Sequence, residues 1–145
     1  MSLLDNPDLI EIKLYYKYSN NPKKGKVLVI LEDDKAEELL KDEEKAKEIE
    51  ILETGWNILT WKEQNEVMNL SSQTVNNQTG EKQFNFIIYR DSIIKRCLKT
   101  WNITMNEKPV PITYELIDKL PGPIVINLYQ KFENIIEYTE EEMGN

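Results

Sequence analysis

Four kinds of side chain in this sequence could carry chemistry: the carboxylates, one thiol, the aromatic rings, and a short set of lysines and arginines. The chain holds no histidine. That removes Ser–His–Asp and Cys–His catalysis and every histidine-bearing metal site. Cys97 is the single cysteine, so no internal disulfide can form. It falls on the apolar stripe of a predicted helix with no basic partner, and reads as a small buried hydrophobe. Carboxylates are abundant, but none pairs with an apolar neighbourhood that would raise its pKa for acid–base work. Asp33-Asp34 and Glu140-Glu141-Glu142 are runs without the ligand spacing of a calcium loop. With five glycines, neither the phosphate-cradling G-x-x-x-x-G-K-[ST] nor the dinucleotide G-x-G-x-x-G occurs. No catalytic, cofactor-binding or metal-binding residue is assigned, and the expected function is non-enzymatic.

Binding is the chemistry that remains. Arg90, Lys95, Arg96 and Lys99 fall on the polar face of one predicted helix, relieved only by Asp91. This basic face in an acidic chain has two readings. It pairs with the chain's own acidic helices, or it docks an acidic partner. Trp101 follows the helix, and Pro109 and Pro111 then force an extended segment, since each ring fixes its own φ and restricts its predecessor. Arg90, Lys95, Arg96, Lys99, Trp101, Pro109 and Pro111 are the candidate protein interface. The net charge of -8 repels phosphate backbones, so nucleic acid is not an expected partner. No apolar stretch approaches the ~20 residues that span a bilayer. Met1 to Asp5 lacks the basic start and apolar run of a secretory leader. The partners expected are proteins.

The elements that position these residues follow from hydrophobic periodicity. Ile10, Ile12, Leu14 and Tyr16 alternate with Glu11, Lys13, Tyr15 and Lys17, predicting a strand over 9–18. A turn over 19–25 and a Val/Ile-rich strand over 26–31 complete a β-hairpin. Asp33 or Asp34 can cap a helix over 35–47, built of Ala, Glu, Leu and Lys with few apolar positions. A third strand is predicted over 48–54, with Ile49 and Ile51 on its apolar side and Gly55 ending it. Thr60-Trp61-Lys62-Glu63 has the capping-box spacing for a helix over 61–70. The polar run 71–81 reads as a mobile loop. The strongest predicted helix covers 84–100. Thr113 can cap a short helix over 114–120. Pro121-Gly122-Pro123 breaks it and opens a last helix to about Tyr138, fraying into its acidic end. Trp56, Trp61 and Trp101 flank helix ends, where aromatic rings usually close a core. The fold expected is α+β: an N-terminal hairpin or three-stranded antiparallel sheet, then a mainly helical bundle. The division falls at 1–58 and 59–145, or the two parts form one domain.

The stretch 59–132 resembles the tail assembly chaperones of tailed bacteriophages. The resembling features are Leu59-Thr60-Trp61-Lys62-Glu63-Gln64 opening a helix, then Leu98-Lys99-Thr100-Trp101-Asn102. Next come Lys108-Pro109-Val110-Pro111-Ile112-Thr113, Ile117, Leu120-Pro121 and Ile124-Val125. The resemblance implies a small acidic protein that keeps the long apolar tape-measure chain soluble and recruits tail-tube subunits. It implies residence in the host cytoplasm, with no cofactor, and a groove between the 84–101 and 123–138 helices near Trp101. It assigns no individual contact. A structural virion protein of the tail or neck, whose hairpin adds to a neighbour's sheet, and a phage-encoded inhibitor of a host protein are the alternatives.

Overall fold

A computed structural model describes residues 3–4 and 8–137. Strand β1, Ile10–Asn21, pairs antiparallel with β2, Gly25–Leu31. The turn closes through Gly25 at φ 77°, a left-handed conformation that costs glycine nothing. The Asn21 side chain accepts the amides of Lys23 and Lys24 there. Helix α1, Asp33–Leu40, follows. Its N-cap is Glu32, without a side-chain cap bond, and Asp33 and Asp34 lie in its first turn instead. The single predicted 35–47 helix is two. The chain breaks at Lys41, and Asp42 caps a short α2, Glu43–Ala46, by accepting from the amides of Glu44 and Lys45. A local aspartate cap here competes successfully with helix continuation.

Strand β3, Glu50–Trp56, lies on the other side of β1, from Ile10↔Trp56 to Tyr16↔Glu50. The three-stranded antiparallel sheet is as expected, but Gly55 lies inside its third strand rather than ending it. Helix α3, Trp61–Ser71, carries the predicted capping box: Thr60 Oγ1 accepts the Glu63 amide, and Glu63 Oε1 accepts the Thr60 amide at 3.1 Å. The predicted 71–81 loop is instead an antiparallel hairpin of β4, Ser72–Asn76, and β5, Glu81–Phe84. Its polar residues are exposed on both sides, so no apolar alternation announced it.

Helix α4, Phe86–Cys97, ends three residues before the expected 100. Leu98 turns extended and opens β6, Leu98–Trp101, which joins the open edge of β3. Pairing with a distant strand overrides a weak local preference. The full sheet has the order β2-β1-β3-β6. Two-residue strands β7, Thr104–Met105, and β8, Lys108–Pro109, form a small hairpin. Helix α5, Tyr114–Lys119, is capped by Thr113 as predicted. Helix α6 runs Gly122–Ile136. The expected acidic fraying after Glu137 lies outside the described residues.

One face of the sheet is covered by α3 to α6 and the other only in part, by α1, which alternation along each strand permits. On one face Ile12, Leu14, Leu52 and Trp56 pack against Val67, Ile93, Cys97, Ile117, Leu128 and Phe132 of α3 to α6. Trp56 is fully buried and stacks on Phe132 with ring centroids 4.8 Å apart. Its indole N–H donates to Thr54 Oγ1 at 2.7 Å, and the Thr54 hydroxyl donates to the Ile12 carbonyl at 2.8 Å. On the other face Tyr15, Leu31 and Ile49 close around Ala36 of α1. The deep side of β3 is thus Leu52, Thr54 and Trp56, while Ile49 and Ile51 belong to the shallower cluster. The fold is α+β, with a four-stranded antiparallel sheet between a thin helical layer and a thicker one.

Candidate protein-binding groove

The clearest concavity with apolar walls runs between α4, α5 and α6. It encloses about 380 Å³ and is lined by Ile87, Ile88 and Ile94 of α4, Ile117 of α5, Leu120, and Val125 and Ile126 of α6. Asn85 sets the start of α4 by accepting the Ile88 amide. Ile87 and Ile94, seven residues apart, share one side of α4; Ile94 is buried in the core, while Ile87, in the first turn, stays outside it. Ile87 is 69% exposed, Phe86 50% and Ile126 38%. Contiguous exposed apolar side chains of this kind mark interaction surfaces more often than isolated ones do. Phe86 is held edge-on to Tyr129 at 6.3 Å, and the Arg90 guanidinium lies 5.6 Å from the Phe86 ring centre.

Part of the charge on the groove rim is already matched. Lys95 Nζ lies 2.9 Å from Asp118 and 3.2 Å from Asp91. Its hydrogen bond to Asp118 holds the ammonium pKa above its ordinary value, against the opposing pull of burial. Arg96 turns to α3 and pairs with Glu66 at 2.6 Å. Of the four basic residues predicted as one face, Arg90 lines the groove, Lys95 ties α4 to α5, Arg96 ties α4 to α3, and Lys99 is exposed on β6. Lys95 and Arg96 thus follow the pairing alternative.

Trp101, Pro109 and Pro111 lie elsewhere. The Trp101 indole N–H donates to the Val110 carbonyl at 2.6 Å, bracing the β7–β8 hairpin. Trp101 also lines a polar depression of about 720 Å³ with Glu11, Lys13, Glu53, Thr100 and Asn102. Trp101 is not among the residues that line the apolar concavity between α4, α5 and α6. Pro109 and Pro111 are exposed. Trp61 is 75% exposed and closes no core. The sequence reading missed Phe86 and Ile126. A signal was present: Phe84, Phe86, Ile87 and Ile88 are more apolar residues than one helical stripe can bury.

The remaining reactive groups are turned inward. Burial pushes the Cys97 thiol up to about 12, so its nucleophilic form is suppressed. Burial also raises the Tyr129 and Glu133 pKa values. Among the described residues, no group of three or more Cys, Asp or Glu side chains is placed to hold a metal ion. No described helix is long and apolar enough to cross a membrane.

The fold and groove together define an α+β protein with an exposed apolar slot between three helices. No family model, curated protein or solved structure matches the chain.

Proposed function

We propose that this chain is a non-enzymatic binding protein of phage tail morphogenesis, an assembly chaperone acting in the host cytoplasm. The α4–α5–α6 groove holds an apolar helix of the tape-measure protein. The carrying observation is the slot itself: Ile87 and Ile126 stand exposed on facing helices above Ile117 and Val125. An amphipathic helix seats its apolar side in such a slot by i, i+3, i+4 anchors. With Lys95 matched by Asp91 and Asp118, apolar contact is the main attraction, which suits a partner with long apolar stretches. The acidic exterior keeps the complex soluble.

The test is co-expression with the tape-measure protein. The wild-type chain is expected to hold that protein in the soluble fraction. The double variant Ile87→Glu, Ile126→Glu, still folded by circular dichroism, is expected to lose it. Finding this chain at stoichiometric copy number in purified phage particles would overturn the chaperone assignment. Retained solubilisation by the double variant would overturn the groove.

A further inference from the structure

The outer strands of the sheet are β2 and β6. Where β6 ends, Asn102 closes the remaining edge of β3. Asn102 Oδ1 accepts the Glu53 amide, Asn102 Nδ2 donates to the Ile51 carbonyl, and the Asn102 amide donates to the Glu53 carbonyl, all at 2.9–3.1 Å. Strand β2 has no such closure. Among the described residues it pairs with β1 alone, and no other backbone hydrogen bond is made along it. It contains no proline and no bulge, and Val27 to Ile30 are only half-buried. A regular, apolar, unpaired edge is a template for another strand.

We propose that β2 joins a second copy of this chain, antiparallel about a two-fold axis at Val29, making one eight-stranded sheet. The strand is complementary to a reversed copy of itself. Reversed onto itself about Val29, Lys26-Val27-Leu28-Val29-Ile30-Leu31-Glu32 sets Lys26 opposite Glu32 of the other copy. Val27 then meets Leu31, and Leu28 meets Ile30. Glu32 is still extended, at φ -67° and ψ 146°, so its side chain continues the strand's alternation, while its carbonyl accepts the Ala36 amide. Opposite charges directly across strands stabilise, and like charges destabilise. The two-fold axis counts each such pair twice. A two-residue slip instead puts Glu32 against Leu28 or Lys26 against Ile30, and a one-residue slip turns the apolar sets to opposite faces. The interface is isologous and closes at two copies.

The experiment is sedimentation equilibrium of the full chain over a concentration series. A species of twice 17.1 kDa is expected. Lys26→Glu alone and Glu32→Lys alone each set like charges across the axis, and each is expected to raise the dimer Kd about tenfold. The double swap K26E/E32K is expected to restore it. Val29→Glu places two carboxylates at the axis while facing Lys17 within its own hairpin, and is expected to give monomer. A monomer at every concentration would overturn the proposal. So would a dimer indifferent to V29E and to both single swaps, or a double swap no better than either single. Should V29E fail to fold, the surface charge variants still decide. The readout is mass alone, so failure of the groove reading leaves it standing.

Discussion

At the scale of the residue, depth decides what each group does, and depth is what residue type conveys least. Trp56 and Trp61 are five positions apart in an aromatic-poor stretch. One is fully buried with its N–H satisfied by Thr54; the other is 75% exposed at a helix start. Glu133 shows the same lesson for charge. It sits on the inner side of α6 beside Tyr129, and its Oε1 is buried without a hydrogen-bond partner. Burial raises its pKa above the ordinary 4.5, Tyr129 opposes the shift, and Glu137 adds to it. The folded chain therefore holds the Glu133 proton more tightly than the unfolded chain does. That contribution to stability is full below pH 4.5 and is lost as pH rises through the folded value. Glu133→Gln keeps a neutral group at every pH. The variant is expected to be more stable than wild type at neutral pH, with the gap closing in acid. Urea midpoints over a pH series check this; a variant less stable at neutral pH would refute the burial argument.

At the scale of the element, the sequence was legible where the determining chemistry is local. The Thr60–Glu63 box and the Thr113 cap bind amides three residues away, so spacing alone reveals them. Strand β6 depends on β3, more than 40 residues earlier, and local propensity reads its residues as the end of α4. The β4–β5 hairpin is polar throughout and carries no period to read. One residue did hint at β6. Gly55 lies opposite Thr100 at the point where the β3–β6 register shifts, and a Cβ at Gly55 would collide with Thr100 Oγ1 and press on Leu9. A glycine inside a strand often marks such a close approach. Gly55→Ala is expected to cost about 1–3 kcal/mol. Adding Thr100→Ala removes the first collision and should recover most of that loss. A Gly55→Ala variant with an unchanged urea midpoint would mean that β6 packs less closely than this.

At the scale of the whole molecule, a division at residue 58 separates two parts of the sequence that are not separate in space. Strand β6 completes a sheet begun at Ile10, and the main core mixes Ile12, Leu14, Leu52 and Trp56 with Ile93, Cys97, Leu128 and Phe132. Composition could not reveal this, because α+β content is the same whether the two parts pack separately or share one core. The physical consequence is cooperativity. Residues 1–58 alone would leave Trp56 and Leu14 without the helices that bury them, and the Ala36 cluster is too small to hold three strands by itself. A 1–58 fragment is therefore expected to show no cooperative unfolding transition. The full chain is expected to unfold in one step, with tryptophan fluorescence and far-ultraviolet circular dichroism giving the same midpoint. The two probes sample different regions: fluorescence reports on Trp56, Trp61 and Trp101, while the dichroism is weighted toward α3, α4 and α6. Separate midpoints, or a fragment that folds on its own, would show that the sheet does not need its helical cover.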